Sequence, residues 1–362
     1  MKAFVTGGTG FIGRDVVRLL GQRGYQVYAL ARSDHGAGVV SRLGAIPVPG
    51  DINDRESMRE SMQDSDIVFH IAGIYDFTPG ALAQAETINV GGTRNVLELA
   101  YELEVPKIIY TSSLAVFGDT RGELPDESYY TEGPFPSEYD RTKWKAHYEV
   151  AIPLIEQGAP IIIVMPGQVY GPGDNSWLAQ MMRLFYRGML PALPGAETVI
   201  TWAHVGDIAE GHLLAAEKGR LGESYILAGP SVPLGEMVEF WSQLTGKSSP
   251  VVRIPARLAR GVAPVAGRVQ STLSLPSVFS EALVSLLGVT YTGRSDKARA
   301  ELTWRPRPLQ SGMMETFEWI AATEPVDAGA REKRAVKGLL LAAVGLLVLW
   351  LWRRNRATKR QT

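Results

Sequence analysis

Tyr139 and Lys143 lie four residues apart in the run YDRTK, one turn along the same face of a helix. A phenol with an ordinary pKa of about 10 exchanges protons near neutral pH only where a cation favours its phenolate, and an ammonium one turn away supplies that cation. The reacting oxygen also needs a hydroxyl donor. Ser113, preceded by Ser112, follows the apolar run 107–111, which brings it to the carboxyl edge of a sheet. Ser113, Tyr139 and Lys143 are thus the candidate catalytic set, suited to moving a proton to or from the oxygen of a carbonyl or secondary alcohol. A surface tyrosine beside a solvated lysine would show the same spacing. Order separates the two readings, because the pair comes after a glycine-rich turn and a serine-bearing strand end.

That turn, in KAFVTGGTGFIG, sets Gly7, Gly10 and Gly13 between an apolar run and a helix-period stretch that Phe11 and Ile12 open. Gly7 would permit the tight turn, Gly10 the approach of a pyrophosphate to the backbone, and Gly13 close packing of helix on strand. This is the pattern of a dinucleotide site. At the end of the second strand an acidic side chain would bond a ribose 2′-hydroxyl, whereas an arginine accommodates a 2′-phosphate. The residues there are Leu30, Ala31, Arg32 and Ser33, with no acid before Asp34. Arg32 therefore favours NADP(H), with NAD(H) as the alternative.

Positioning these groups requires a scaffold, and the first half of the chain alternates short β-branched runs with helix-period stretches. Strands are expected at 2–6, 26–31, 46–48, 67–71, 107–111 and 160–165, and helices at 11–23, 55–62, 83–103 and 137–156. The pattern predicts an α/β fold, a Rossmann-type doubly wound parallel sheet, with a smaller C-terminal substrate lobe and a C-terminal apolar helix. Residues 1–165 form the expected dinucleotide-binding domain and 166–324 the substrate lobe, partly interleaved with it. Helices are expected there at 177–187 and 234–245. Trp177, Phe185 and Tyr186 suit either a core or an apolar pocket wall.

With 37 basic and 38 acidic residues and a net charge of −1, no global field favours nucleic acid. Cysteine is absent, which removes thiolate catalysis and disulfides. The first residues run straight into the glycine turn and predict no secretory signal. His70, His204 and His212 lack carboxylates at ligand spacing, so packing or capping roles are expected and no metal is assigned. The other end of the chain differs. A polar linker, 325–337, leads to 338–352 (GLLLAAVGLLVLWLW), 15 uncharged and largely apolar residues before the basic tail 353–362. The expectation is a membrane segment, with the catalytic part facing the cytoplasm, a small-molecule substrate as partner, and homodimer pairing through 83–103 and 137–156.

These residues resemble the extended short-chain dehydrogenase/reductase superfamily, of the NAD-dependent epimerase/dehydratase type. The likeness is carried by TGGTGFIG (6–13), GDI (50–52), HIAG (70–73), NVGGTRNVLE (89–98), TSSLAVFG (111–118), YDRTK (139–143) and PGQVYGPGD (166–174). It is similar in particular to the dihydroflavonol-reductase-like, hydroxysteroid-dehydrogenase-like and nucleotide-sugar-epimerase-like branches, through HVGDIAEGHLLAAEKG (204–219). The resemblance implies that Asp51 and Ile52 flank the adenine and that Ala72 and Gly73 line the dinucleotide. It also implies that Asn89 and Thr111 belong to the cofactor site, that Tyr139 and Lys143 hold the nicotinamide ribose, and that Pro166 borders the nicotinamide. Gln168 stands where the epimerases commonly carry asparagine, and Met165 where they often carry arginine. Both departures favour a less phosphate-dependent substrate than a nucleotide sugar. The leading expectation is an oxidoreductase acting on a small, apolar carbonyl or secondary alcohol. The alternatives are a nucleotide-sugar epimerase or dehydratase and a non-catalytic, membrane-tethered NADPH-binding protein.

Overall fold

A short apolar run rich in isoleucine and valine is stable as a strand only if the sheet around it is covered on both faces. The structure, a computed structural model, describes residues 1–190, 192–261, 280–324 and 345. Its strands in chain order are β1 (Lys2–Thr6), β2 (Gln26–Ala31), β3 (Ile46–Pro49), β4 (Ile67–His70), β5 (Ile108–Thr111) and β6 (Ile161–Pro166), then β7 (Gln168–Tyr170), β8 (Ala192–Pro194), β9 (Val199–His204) and β10 (Ser224–Leu227). Seven of them form one sheet in the order β10-β6-β5-β4-β1-β2-β3, and its strand pairs are parallel. The chain therefore winds outward in both directions from β1, and the switch point lies between the carboxyl ends of β1 and β4, where Thr6 pairs with His70.

Alternation along the strands divides the core in two. Phe4, Val68, Ile108 and Ile163 face one buried cluster, while Ala3, Val5, Phe69, Ile109 and Ile162 face the other. Each large aliphatic side chain so buried contributes roughly 1.5–3 kcal/mol. The helices packed with the sheet are α1 (Phe11–Gln22), α2 (Asp34–Arg42), α3 (Glu56–Met62), α4 (Pro79–Ala85), α5 (Thr93–Glu102), α6 (Glu138–Lys145), α7 (Ile152–Glu156) and α9 (Val205–Lys218); two further helices are α8 (Trp177–Tyr186) and α10 (Leu234–Thr245). The sheet and its helices are the expected α/β scaffold. β1, β2 and α10 have the expected bounds, whereas α2 and β10 were not expected.

The two long helices expected at 83–103 and 137–156 are each broken by a wider turn. A π-helical stretch, Glu86–Gly92, joins α4 to α5, and a second, Ala146–Ala151, joins α6 to α7. The physical reasons stand in the chain. Gly91 and Gly92 are poor helix formers, a Cβ on Gly92 would lie 2.5 Å from the Ile52 side chain, and Pro153 has no N–H to donate.

The chain divides into two compact units. The first collects Met1–Ser176, Val199–Val232 and Val289–Met313; the second collects Trp177–Thr198 with the described parts of Pro233–Gly288 and of the chain after Met313. Within the second unit Phe185 is buried against Trp241 at 5.6 Å and Phe317 at 6.1 Å between ring centroids, so Phe185 is core rather than pocket wall. Among the described residues no helix is long and apolar enough to cross a membrane. The expected apolar helix 338–352, its linker 325–337 and the tail 353–362 lie outside the described residues, apart from Gly345.

Candidate active site

The glycine turn is built so that only backbone faces the switch point. Gly7 has φ +76°, a left-handed conformation that suits glycine, and an added Cβ would fall 2.6 Å from the Ala72 nitrogen. At Gly13 a Cβ would meet the Gly7 carbonyl oxygen at 2.0 Å, which is why α1 can sit directly on the turn. The Gly10 N–H donates to the Gly7 carbonyl at 2.9 Å, and Gly10 starts α1 with no side-chain cap and no acid in the first turn. A helix N-terminus left open in this way fits a pyrophosphate. Behind it, the Ala72 N–H donates to Thr6 Oγ1 at 3.4 Å, Thr6 Oγ1 lies 2.8 Å from His70 Nδ1, and His70 Nε2 lies 2.9 Å from Thr93 Oγ1. This buried chain ties the ends of β1 and β4 to α5.

Ser113 begins a short 3₁₀ turn after β5, and its Oγ accepts from the Ala115 N–H at 3.1 Å. Its hydroxyl also stands close enough to the Tyr139 phenol to lower the phenol's pKa. Tyr139 is half-buried at the start of α6, with the Tyr75 ring edge-on at 4.9 Å and the Phe77 ring at 6.1 Å. Burial pushes its pKa up to about 12, the Ser113 hydroxyl lowers it, and Asp140 raises it further. Lys143 is buried; its Nζ donates to the Thr111 carbonyl oxygen at 2.8 Å and stands 5.2 Å from the Tyr110 ring centroid. Desolvation lowers the Lys143 pKa to about 7. The pair is thus brought to one helix turn as the spacing implied, but its members are turned to different partners. The lysine reaches the sheet edge, and the phenol reaches Ser113.

The remaining sequence-predicted residues surround this centre. Arg32 is exposed just after β2, and Ser33 caps α2 through Gly36. Asp51 accepts from the Asn53 N–H at 2.9 Å, and Ile52 is buried with its carbonyl held by Asn95 at 2.9 Å. Gly73 lies close to Asn89, whose buried amide accepts from Ile74 N–H at 2.8 Å and donates to Thr142 at 3.0 Å. The Thr111 hydroxyl faces His212 Nε2 at 2.9 Å, so its backbone rather than its side chain is turned to Lys143. Pro166 ends β6, buried beside Leu227. His204 caps α9, accepting from the Gly206 N–H at 3.1 Å.

Sequence reasoning passed over His147, Tyr75 and Phe77. Ser112 bonds His147 Nδ1 at 2.8 Å within the second π-helical stretch, and Tyr75 donates to Gln168 Oε1 at 2.9 Å. Tyr75 and Phe77 followed the HIAG run closely enough to have been noticed. Asp140 stood inside YDRTK itself.

With this arrangement in view, the family model for the NAD dependent epimerase/dehydratase family matches residues 3–228. The chain belongs to that family. It is 33% identical over 344 residues to a 4-hydroxy-2-methyl-3-oxo-4-farnesyl-3,4-dihydroquinoline-1-oxide ketoreductase of Stigmatella aurantiaca, covering 92% of this chain and 100% of the relative. It is 28% identical to sterol demethylase protein B of Methylococcus capsulatus, over 88% of this chain and 98% of that one. A UDP-glucose 4-epimerase of Thermotoga maritima, solved with UDP-glucose, shares the fold with a TM-score of 0.72 at 23% identity, over 89% of this chain and 99% of its own. The family member described here is an enzyme, a nicotinamide-dependent oxidoreductase of the extended short-chain dehydrogenase/reductase type.

The buried Lys143 makes stability pH-dependent in a defined direction. Its pKa is about 7 when folded and 10.5 when unfolded, so between these values the unfolded chain binds more protons and stability rises with pH. Lys143→Met removes that rise. Denaturant unfolding of the cofactor-free protein at several pH values across the window should show a smaller gain in the variant; equal gains would mean that Lys143 is solvated.

Proposed function

We propose that this enzyme moves a hydride between NADP(H) and the ketone or secondary alcohol of a flat, apolar substrate. The observation that carries the reading is the apolar wall of Tyr75 and Phe77 against Tyr139, beside the only polar partner of the phenol named above, Ser113. A substrate oxygen that accepts from the Ser113 and Tyr139 hydroxyls lies next to aromatic rings, which reward ring stacking. The name of the Stigmatella relative, a ketoreductase for a farnesylated quinoline, supports the same substrate chemistry.

In this reading Gly7, Gly10 and Gly13 receive the pyrophosphate, Asp51 and Ile52 flank the adenine, and Ala72, Gly73, Asn89, Thr111 and Pro166 complete the cofactor site. The nicotinamide, when bound, supplies or accepts the hydride. Ser113 holds the substrate oxygen and Tyr139 gives or takes its proton, with Lys143 the cation nearest the sheet edge. Consumption of NADPH with a panel of a 3-oxosteroid, a flavanone and a nucleotide sugar tests it. The ketones should be reduced and the nucleotide sugar ignored, and Tyr139→Phe should slow reduction by ~100-fold or more while cofactor still binds. Wild-type rates in that variant would remove Tyr139 from the chemistry.

Arg32 is the residue proposed to select NADP(H). Its exposed guanidinium follows β2, and it makes no ion pair among the described residues. Arg32→Ala should weaken NADPH by about 1.5–3 kcal/mol, the scale of a charge-assisted hydrogen bond, and NADH far less. Equal losses in a binding titration would refute the assignment.

Residues 338–352 are proposed as a membrane attachment, with the catalytic part facing the cytoplasm. A helix of this length spans about 22 Å, short of a hydrocarbon core of about 30 Å. Trp350 and Trp352 suit the interface, and Lys337, Arg353 and Arg354 can snorkel, which lessens the mismatch. Fractionation of the full chain and of a truncation ending at Pro325 tests the proposal: the full chain should sediment with membranes and the truncation stay in solution. A full chain that remains in the supernatant without detergent overturns it.

A further inference from the structure

Asp140 follows Tyr139 directly, and its side chain is buried although the proton chemistry at Ser113 and Tyr139 requires no acid there. It is held by two hydroxyls. Ser137 Oγ donates to Asp140 Oδ2 at 2.7 Å, and Tyr291 Oη donates to the same oxygen at 2.9 Å. The Asp140 N–H returns a bond to Ser137 Oγ at 3.2 Å, so this carboxyl belongs to the cap that begins α6.

Tyr291 reaches Asp140 from 151 positions along the chain, inside a segment stitched to the loop that follows Ser113. Thr290 donates to Asp119 Oδ1 through its N–H at 3.0 Å and its hydroxyl at 2.9 Å. The Thr120 N–H donates to the Thr290 carbonyl at 2.9 Å, and Thr292 Oγ1 lies 2.5 Å from Thr120 Oγ1. Gly293 packs so tightly that a Cβ on it would lie 2.8 Å from Leu114, the neighbour of Ser113. Residues 290–293 thus touch the Ser113 loop on one side and the residue beside Tyr139 on the other, all within the first compact unit.

We propose that the Tyr291–Asp140 contact is a positioning device that sets the start of α6 so that the Tyr139 phenol meets Ser113, and that the carboxylate beside the phenol holds its proton in place for donation to a ketone oxygen. The proposal rests on the reading of Tyr139 as the proton carrier. It assigns Asp140 and Tyr291 a role through Tyr139, without contact to substrate.

The charges around Asp140 fit this role. Tyr139 stands beside it, and Tyr291 faces it with Asp119 and Tyr75 within electrostatic reach. Across α6, Arg141 and Lys145 are engaged with Glu86, and Arg141 also with Glu138. Among the described residues no cation pairs with Asp140, so hydroxyl donors alone favour its carboxylate against burial, which pushes its pKa up to about 6. Above that pH the ionised group makes a phenolate at Tyr139 harder to form, and removing the charge should make it easier.

Two variants of the full chain separate the parts of the proposal. Asp140→Asn removes the charge and Tyr291→Phe removes one hydroxyl donor while keeping the ring. Isotope-labelled tyrosine NMR, with the Tyr139 signal assigned by its loss in Tyr139→Phe, needs no substrate. The onset of Tyr139 ionisation should move to lower pH in Asp140→Asn by roughly one pH unit. With a 3-oxosteroid as probe, Tyr291→Phe should lower kcat about 10-fold with KM for NADPH unchanged, and the double variant should be no worse than the worse single one. An unmoved Tyr139 signal in Asp140→Asn, or additive losses in the double variant, overturns the proposal. If the wild type reduces no ketone, the proposed function fails while the NMR titration still decides the contact.

Discussion

A buried ammonium at the carboxyl edge of the sheet is the constraint around which the rest of the site is arranged. Lys143 is nearly out of water, and its Nζ is held by the Thr111 carbonyl with the face of Tyr110 nearby. A charge in that position is tolerated only if no second cation stands close. His70 and His147 both have their pKa lowered to about 3, by burial first and by Lys143 second, so both are neutral imidazoles near neutral pH. Each is then free to serve as a hydrogen-bonding spacer, His70 between Thr6 and Thr93 and His147 against Ser112. Burial, reinforced by the lysine, therefore keeps two histidines neutral, and with them the stitching of β1, β4 and the helix that carries Lys143.

The glycine turn obeys the complementary rule. Where Lys143 needs acceptors packed around it, the turn needs the absence of side chains, because Gly7 lies against the backbone of Ala72 and Gly13 against that of Gly7. Close packing there leaves the N–H groups at the start of α1 without a side-chain cap. A phosphate is the natural complement to such groups. The two rules meet at Thr6, which ends β1, precedes Gly7 and bonds His70, so the anion-receiving turn and the cation-bearing helix share one buried hydrogen-bond chain.

Much of this was legible in the sequence, for reasons that differ from residue to residue. The strands could be read because both-face burial leaves an unbroken aliphatic run, as in Ile161–Pro166. Gly7 and Gly13 could be read because nothing but glycine meets their steric demand, and Gly10 because it stands between them at the spacing of the turn. The four-residue spacing of Tyr139 and Lys143 could be read as one helix turn, but not the direction of either side chain. α2 was missed because Gly36 and Gly38 argue against a helix, and Ser33 overcomes that by capping it. The π-helical stretches were missed because a period of 3.6 describes the residues on both sides of them, and the widened turn shows only in which groups it brings inward: Asn89 to Ile74 and Thr142, His147 to Ser112. Tyr75 and Phe77 sit in a segment with no period at all.

The state of Tyr139 follows from the same electrostatics. Burial and Asp140 keep its proton on, and Ser113 alone opposes them. Lys143 is drawn to the Thr111 carbonyl rather than to the phenol. A phenol in this state is a proton donor waiting for an acceptor stronger than itself. The oxygen of a ketone becomes one as hydride reaches the carbon, since an alkoxide is far more basic than a phenolate, and the proton then moves downhill. In the opposite direction the phenol must first be deprotonated, against burial and against Asp140. In the proposed reading, an oxidised nicotinamide, if bound, would bring positive charge near Tyr139 and offset burial and Asp140 in that direction.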